Sequence, residues 1–396
     1  MTGSLLEPGS HRAAALADDR ALVRAMLRVE VAWVRALAVA GAVGADALAQ
    51  VETASDGLEP VLSHQEVEAA GNPVLPLVRA LRAAVADPDT AAAVHRGLTS
   101  QDVLDTALML LSADCLDHVA GSLQRTGDAL AALAVQHRSA PAAGRTLSQH
   151  AVPVTVGLRA AQWLLGVADA RDGVLDARAS LPVQCGGAAG TLSLAEQVVP
   201  EPLQAASALA DELGLTWPGL PWHTRRTPVL RIAGALAEVC AAVGVVAGNV
   251  LLLGRPEIAE LAEGPVPGRG TSSTMPGKVN PVLSVLVRSA ALQAPQLLAQ
   301  LYLCAGQVID ERPPGDWHAE WPALRRLLVL TATAAEQSAD LTESLKVDVI
   351  AARERAQQAA AALLAEHPPA ERVESYLGLS EAFTQTAIER WQASRA

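Results

Sequence analysis

A loop rich in glycine, proline and hydroxyl side chains carries the most reactive combination of residues in this sequence. It reads GRGTSSTMPGKVNP over residues 268–281, with two serines, a lysine and an asparagine close together. Pro276 and Pro281 lack backbone donors and disfavour helical angles at the residue before them, so this segment cannot form a continuous helix. The segment is therefore either a plain connector or a reactive site.

Ser272 is the candidate base of this loop. An ordinary hydroxyl is too weak to remove a proton from carbon, so it acts as a base only if its alkoxide is stabilised. Backbone N–H groups of a tight loop, a nearby Lys278 and a dry pocket would supply that stabilisation. Lys278 and Asn280 would then bind the carboxylate that spreads the carbanion charge. The alternative is a flexible serine- and threonine-rich loop with a solvated lysine.

A second polar segment, HRGLTSQDVLDT over residues 95–106, precedes an apolar helical pattern. Thr99 or Ser100 would cap the helix, with Asp102 in its first turn. The functional alternative is that the free N–H groups at the helix start bind a carboxylate together with the side chains of Thr99, Ser100 and Gln101. Both interpretations remain open from these residues alone.

Two more segments combine polar side chains with glycine. Residues 144–157 read GRTLSQHAVPVTVG, and the pattern predicts that Gln149 and His150 begin a long apolar helix. A single histidine at a helix end is more often structural than catalytic. Residues 184–193 read QCGGAAGTLS and allow close backbone approach, which is a weak signal because glycine-rich turns are common.

The composition restricts the class of protein. The 396 residues carry a net charge of -12 and no cluster of Lys and Arg, which argues against a nucleic-acid-binding surface. The four cysteines show no metal-type spacing, and no metal site is expected. The most apolar run, residues 239–253, is too short to span a bilayer, and the N-terminal sequence lacks the apolar region of a signal peptide. We expect a cytoplasmic protein with no membrane partner.

Apolar residues recur at steps of three and four and predict an all-α protein. Candidate helices cover about residues 18–42, 104–137, 150–180, 228–262, 281–309 and 318–345. Helices of about 30 residues reach about 45 Å. They are apolar around much of their circumference, so they must be buried on several sides. The pattern therefore predicts a bundle that packs against copies of itself.

The segment GTSSTMPGKVNP resembles the signature of the fumarase/aspartase superfamily. The three other polar segments resemble that family's active-site and glycine segments in the same order, and the resemblance covers about residues 12–345. DERPPGDWHAEWPAL from Asp310 and the closing YLGLSEAF resemble the 3-carboxy-cis,cis-muconate cycloisomerase branch. That branch tends to lack a histidine at the position of Leu147, whereas fumarases, argininosuccinate lyases and adenylosuccinate lyases usually carry one there.

The resemblance implies an all-α fold with a central bundle of about 20 long helices in a homotetramer, whose active sites each draw on three subunits. It implies an N-terminal domain over 1–103, a central long-helix domain over 104–345 and a shortened C-terminal domain over 346–396. It also implies a reaction without a cofactor. The shortened C-terminal domain is a departure from the family, as is the valine at position 279, where cycloisomerases more often have a basic residue.

The same resemblance assigns roles to single residues. Ser272 matches the catalytic serine, and His150 is the candidate acid or proton relay. The substrate-binding candidates are His95, Thr99, Ser100, Gln101, Gln149, Ser273, Thr274, Met275, Lys278 and Asn280.

The expected reaction is β-elimination, or its reverse, on a small polycarboxylate through an aci-carboxylate carbanion. The leading expectation is lactone formation as in 3-carboxy-cis,cis-muconate cycloisomerase. The alternative is a C–N lyase that releases fumarate from an adenylosuccinate-, aspartate- or nitrosuccinate-type substrate. A third possibility is a structural protein without catalysis, against which the joint presence of Ser272, Lys278 and Asn280 argues.

Overall fold

The computed structural model describes residues 4–58, 62–275, 277–366 and 372–394. Within these ranges the chain forms fourteen α-helices and only four short strands. The all-α class expected from the sequence is confirmed.

In chain order, the helices are α1 (Asp19–Val39), α2 (Ala45–Asp56), α3 (His64–Ala70), α4 (Val74–Ala84), α5 (Pro88–Ala91), α6 (Ser100–Gln136), α7 (Val156–Ala179), α8 (Ser193–Glu196), α9 (Pro202–Leu213), α10 (Thr227–Leu253), α11 (Val282–Gly306), α12 (Asp316–Ser344), α13 (Val349–Glu366) and α14 (Ser380–Ala393). The strands are β1 (Pro141–Thr146), β2 (Gln149–Thr155), β3 (Leu261–Ala262) and β4 (Lys346–Val347). β1 pairs antiparallel with β2, and β3 pairs antiparallel with β4.

The chain divides into two compact units. The first unit comprises Met1–Asp117, Asp176–Gly234 and Leu297–Val329, and the second comprises His118–Leu175, Ala235–Gln296 and Leu330–Ala396. The unit boundaries fall inside the five long helices α6, α7, α10, α11 and α12. The division into domains expected from the sequence stays a prediction.

In the first unit, α1 packs against α2, α4 and α9. The helix begins after Asp18, whose side chain accepts a hydrogen bond from the N–H group of Ala21 at 2.8 Å. This cap satisfies one of the free N–H groups at the helix start. Trp33 and Leu37, one turn apart on α1, are fully buried. Their burial fixes the face of α1 that points into the first unit.

One helix prediction is wrong at its start. Residues 150–155 lie in strand β2, and α7 begins only at Val156. Leu147 and Ser148 both have left-handed backbone angles, with φ of 48° and 65°, and they form the two-residue turn that joins β1 to β2. Pro153 pairs with Ala143 inside this hairpin. The predicted helix therefore included residues of β2 that precede the true start of α7.

A second helix prediction is wrong at its end. The pattern predicted a helix to residue 262, but α10 ends at Leu253 and β3 begins at Leu261. Pro256 disfavours helical angles at Arg255, and Ala259 has a left-handed φ of 53°. The other long helices begin and end within five residues of the predicted positions.

The C-terminal helices belong to the second unit and pack onto the hairpin. Ala352 of α13 forms a buried apolar cluster with Ala142 of β1 and Val156. Among the described residues after Lys346, the chain forms α13, a 3₁₀ turn at Val373–Tyr376 and α14. Helices α13 and α14 thus support the hairpin whose strand β2 carries Gln149 and His150.

Trp391 anchors α14 against α6. Its indole is 1% exposed and donates a hydrogen bond to the carboxylate of Asp128 at 2.9 Å. The ring lies directly over Gly127, where an added Cβ would come within 2.3 Å of ring carbons. Because no Cβ fits at that distance, α14 can dock in this way only over a glycine.

We expect Gly127→Ala to lower the free energy of unfolding by about 1–3 kcal/mol, because the new Cβ overpacks the Trp391 contact. Gly121 is the matched control on the same helix, since a Cβ there meets no atom within 4 Å. Gly121→Ala should be neutral or stabilise the protein by up to about 1 kcal/mol through helix propensity. Urea unfolding at one protein concentration measures both, and equal effects of the two substitutions would contradict the Trp391 anchor.

Two helices, α10 and α11, are long and apolar enough to cross a membrane by length and composition. Core helices of soluble proteins meet the same criteria. Within this chain, 44% and 33% of their most apolar stretches are buried. Much of their apolar surface is therefore uncovered in a single chain.

Candidate active site

The start of α6 is fixed by the fully buried carboxylate of Asp102. It accepts hydrogen bonds from the backbone N–H groups of Thr99 at 3.0 Å and of Gly186 and Gly187 at 2.9 Å each. The Nε2 atom of His223 lies 2.8 Å from the same carboxylate. Asp102 therefore joins the start of α6 to the glycine-rich loop over residues 184–193, and its role is to position both.

The predicted substrate-binding residues of the first unit lie around this helix start. Ser100 is the first residue of α6, and Thr99 precedes it; both are half-buried. Gln101 is fully buried and donates to the backbone carbonyl of His223 at 3.0 Å and to the carboxylate of Asp105 at 3.2 Å. The amide hydrogens of Gln101 are thus occupied by the protein itself, and its oxygen is left for another donor.

That donor is Arg312, a residue that was not predicted from the sequence. Its guanidinium donates to the hydroxyl of Thr99 at 2.8 Å, to the amide oxygen of Gln101 at 3.3 Å and to the carbonyl of Ala188 at 3.3 Å. No carboxylate in the described part of the chain forms an ion pair with it. The available signal was an arginine in the proline- and glycine-rich loop that precedes α12.

Beneath this surface lies a buried charged network. Arg226 donates to both oxygens of Asp105, at 2.7 and 3.0 Å, and to both oxygens of Glu320. The indole of Trp317 and the amide of Gln184 also donate to Asp105, at 2.9 and 3.2 Å. The network ties α6, α12, the residue before α10 and the glycine-rich loop together within the first unit.

The two carboxylates of this network differ in their pKa. Burial raises the pKa of Asp105, but the charge and hydrogen bonds of Arg226 outweigh burial and hold it below its ordinary value. Burial also raises the pKa of Glu320, and the nearby charge of Asp105 raises it further. Arg226 lowers this pKa, but by less than the other two effects raise it, so the pKa of Glu320 lies above its ordinary value. The guanidinium of Arg226 therefore offsets the effect of burial on the pKa of Asp105 but not on the pKa of Glu320.

His95 lies in the loop before α6. Its backbone has a left-handed φ of 61°, and its Nδ1 atom is 2.7 Å from a carboxylate oxygen of Glu30. Glu30 belongs to α1 and is fully buried. His95 was predicted from the sequence as a substrate-binding residue, and its partner Glu30 was not.

In the second unit, Gln149 and His150 are exposed on β2. Their side chains have no hydrogen-bond partner among the described residues. The hairpin that carries them is held by buried Glu260, which pairs with Arg145 at 2.5 Å and with Arg159 at 3.1 Å. The ion pair of Arg145, which lies opposite His150 near the turn, holds this end of the hairpin and leaves its predicted site residues accessible.

The signature loop, residues 264–281, is closed at its base. The backbone N–H and the side-chain amide of Asn280 both donate to the carbonyl of Gly270, at 2.8 and 3.2 Å. Glu263 caps the start of α11 by accepting from the N–H group of Ser284 at 2.7 Å. Asn280 therefore shapes the loop, with one of its amide hydrogens occupied in doing so.

Ser272 accepts two backbone hydrogen bonds inside this loop. Its Oγ atom lies 3.0 Å from the N–H donor of Met275 and 3.3 Å from that of Thr274. Hydrogen bonds donated to an oxygen favour its anionic form. Ser273, Thr274, Met275 and Lys278 are exposed in the single chain. The loop thus provides, from its own backbone, part of the stabilisation that an alkoxide requires.

A family model described as lyase matches residues 12–295 of this chain. The chain belongs to the fumarase/aspartase superfamily. The family resemblance of the signature loop is therefore confirmed, and the protein is an enzyme, a lyase or cycloisomerase of this superfamily.

Three proteins illustrate its place in the superfamily. Nitrosuccinate lyase of Streptomyces davaonensis is 44% identical over 345 residues, which cover 84% of this chain and 72% of the relative. The 3-carboxy-cis,cis-muconate cycloisomerase of Bradyrhizobium diazoefficiens is 41% identical over 87% of this chain and 76% of the relative. The crystal structure of the 3-carboxy-cis,cis-muconate lactonizing enzyme of Pseudomonas putida has a TM-score of 0.87 at 30% identity, over 98% of both chains.

Proposed function

We propose that this superfamily member catalyses cofactor-free elimination and addition on a small polycarboxylate, most like a 3-carboxy-cis,cis-muconate cycloisomerase. The observation that carries the chemistry is the pair of N–H groups that donate to the Oγ atom of Ser272. The relatives support the substrate class, because a 3-carboxy-cis,cis-muconate cycloisomerase and a nitrosuccinate lyase are both more than 40% identical to the chain.

In the elimination direction, the alkoxide of Ser272 takes the hydrogen α to a carboxylate as a proton. The electron pair of the broken C–H bond enters the carboxylate and forms an aci-carboxylate dianion. That pair then forms the alkene while the bond between the β carbon and the leaving group breaks, and the leaving group departs with its own electron pair. In the lactone-forming direction, a carboxylate oxygen adds to the alkene, and the hydroxyl of Ser272 returns the proton to the α carbon.

The aci-carboxylate requires positive charge and hydrogen-bond donors at one carboxyl group. Lys278 and the free amide hydrogen of Asn280 are the proposed partners of that group. Ser273, Thr274 and Met275 would line the same side. His150, on the exposed face of β2, is the proposed acid or proton relay for the leaving group.

A second carboxyl group would bind at the start of α6. The hydroxyls of Thr99 and Ser100 would donate to it, with the N–H groups at the helix start. Arg312, already hydrogen-bonded to Thr99, adds a positive charge there. Gln149, exposed on β2, is the further proposed substrate-binding residue.

We propose a cytoplasmic homotetramer whose active sites combine residues from three subunits, with no nucleic-acid or membrane partner. The uncovered apolar surfaces of α10 and α11 support assembly, with Leu252, Leu292 and Leu303 exposed in the single chain at 40%, 67% and 66%. Apolar surface of this extent is typical of subunit interfaces. The three-part division at residues 103 and 345 is proposed for each subunit.

The second candidate function is a fumarate-releasing C–N lyase. It is favoured by the 44% identity to a nitrosuccinate lyase. Both functions share the carbanion step and differ in the leaving group, which is a tethered carboxylate oxygen in one and a nitrogen in the other. An adenylosuccinate-type lyase receives less support, because Leu147 occupies the position where those enzymes usually carry histidine.

The two functions separate in parallel assays of the purified protein. With 3-carboxy-cis,cis-muconate we expect loss of ultraviolet absorbance, because lactone formation shortens the conjugated system. With nitrosuccinate the alternative predicts release of fumarate and nitrite. Unchanged absorbance in the first assay together with fumarate release in the second would replace the leading function by the alternative.

A further inference from the structure

The loop over residues 92–99 holds His95 in an unfavourable backbone conformation. Its φ of 61° is left-handed, which is uncommon for a residue other than glycine. Such strain persists only where the surroundings impose it, and it clusters at functional sites. The residues that impose it here lie in α1 and α4.

Side chains hold the backbone on both sides of His95. Arg82 of α4 donates to the carbonyl of Val94 at 2.8 Å. Trp33 of α1 donates to the carbonyl of Arg96 at 2.7 Å. With both neighbouring peptide groups fixed, the imidazole of His95 is directed onto α1.

The group it meets is the carboxylate of Glu30, which is fully buried. One oxygen lies 2.7 Å from Nδ1 of His95, and the other has no hydrogen-bond partner among the described residues. A buried carboxylate with an unsatisfied oxygen opposes folding, and an apolar side chain of similar volume would be more favourable there. A contribution to folding stability therefore does not explain the presence of glutamate at position 30, whereas its effect on His95 does.

The charges around His95 favour the imidazolium. Burial lowers the pKa of His95, but the hydrogen bond and charge of Glu30 outweigh burial, and the pKa lies above its ordinary value of 6.5. Asp102 of α6 acts in the same direction, and Arg82 of α4 opposes it. The side chain remains 19% exposed, and Nε2 has no partner in the part of the chain that the structure describes.

The loop of His95 leads directly into the candidate carboxylate site. Gly97 packs against the backbone of Ala195, and a Cβ on Gly187 would lie 3.3 Å from the carbonyl of Gly97. Two residues further along, Thr99 accepts from Arg312. His95 is therefore fixed beside the glycine-rich loop and just before the hydroxyls proposed to bind substrate.

We propose that Glu30 is a positioning residue that holds Nδ1 of His95, keeps the imidazole protonated and so makes Nε2–H a charged donor to a carboxylate of the substrate. This inference rests on the proposed function, because it assigns a ligand to one end of the polycarboxylate. Glu30 itself does not touch the substrate.

The test follows the protonation of His95 directly. Hydrogen–deuterium exchange at the C2 carbon of each histidine, resolved by mass spectrometry of peptides, gives a titration midpoint for His95 in the intact protein. In the unsubstituted enzyme we expect a midpoint above 6.5, and in Glu30→Gln a midpoint below 6.5, because burial remains while the carboxylate is lost. Glu52→Gln is the matched control, since that carboxylate pairs with Arg35 of α1 and does not contact His95.

Activity supplies a second readout that a purely structural role would not move. With whichever substrate is turned over, kcat/KM of Glu30→Gln should fall about 10- to 100-fold at a pH between the two measured His95 midpoints and recover as the pH is lowered through the midpoint of the variant. Loss by the same factor at every pH would overturn the positioning role. A midpoint at or below 6.5 in the unsubstituted enzyme would overturn it without any variant, so a Glu30→Gln protein that fails to fold does not block the test.

An unreactive tricarboxylate, tricarballylate, separates this inference from the choice of substrate. Its binding should raise the His95 midpoint further in the unsubstituted enzyme, because an anion at Nε2 favours the imidazolium. This outcome supports the donor role even if neither 3-carboxymuconate nor nitrosuccinate is converted. An unchanged midpoint with saturating tricarballylate would overturn the donor role even if the proposed reaction is observed.

Discussion

Ser272→Ala is expected to lower kcat by about 10²- to 10⁴-fold, the usual loss when a group that transfers a proton is removed. The hydroxyl of Ser272 accepts hydrogen bonds from two backbone N–H groups, so its replacement also leaves those donors without this acceptor. KM should change little, because Lys278 and Asn280 remain to bind the carboxylate. Steady-state kinetics with the accepted substrate measures both parameters.

Ser273→Ala is the matched control in the same loop. Ser273 is a proposed binding residue, so its loss should act mainly on KM. Exchange of the substrate's α hydrogen with deuterium from solvent tests the assignment independently, and it should disappear in Ser272→Ala but persist in Ser273→Ala. Undiminished turnover of Ser272→Ala would refute its role as the base, and it would also reopen the possibility of a base on another residue.

Arg226→Met is expected to lower the free energy of unfolding by about 3–5 kcal/mol, because it leaves the buried carboxylates of Asp105 and Glu320 without their shared cation. Arg325→Met is the matched control. Arg325 pairs with Asp19 at 2.7 Å on the surface, and such pairs contribute about 1 kcal/mol or less. Urea unfolding at one protein concentration compares them, and similar losses for both variants would show that the buried network is not the main contribution.

The pH dependence of the same network gives a signed prediction. The folded-state pKa of Glu320 is raised above 4.5, so its contribution to stability is present below that pH and is lost as the pH rises through the folded-state pKa. Glu320→Gln removes this titration. The free energy of unfolding of the variant should therefore approach that of the unsubstituted protein as the pH is raised from 4.5 to 8, and a gap that widens would contradict the assignment. Asp105 has the opposite sign, because its lowered pKa gives stability that is lost at acid pH.

The sequence predicted the long helices because their apolar periodicity is local. The start of α6 after Thr99 followed from the polar cluster that precedes an apolar run, and the predicted bounds of α6 agree with the observed ones within four residues. The hairpin was misread for an equally local reason. The two-residue turn requires left-handed backbone angles at both Leu147 and Ser148, and neither residue type indicates that conformation in a sequence.

The charged partners of the candidate site could not be predicted in the same way. Glu30 and His95 are 65 residues apart, and Arg226 is 121 residues from Asp105. No local period relates such positions, and only the packing of helices brings them together. The family resemblance supplied Ser272, Lys278 and His150, because it compares whole motifs, but it did not supply Arg312, Glu30 or the buried network.

The attachment of the glycine-rich loop to Asp102 has a consequence for how this enzyme could acquire new substrates. The loop is fixed through the backbone N–H groups of Gly186 and Gly187, which are the same whatever side chains follow. Ala188, Ala189 and Thr191 are exposed beside this attachment, so mutation there can reshape the rim of the site while its anchor persists. The enzyme can therefore change which carboxylic acid it accepts as a substrate over evolutionary time and still fold.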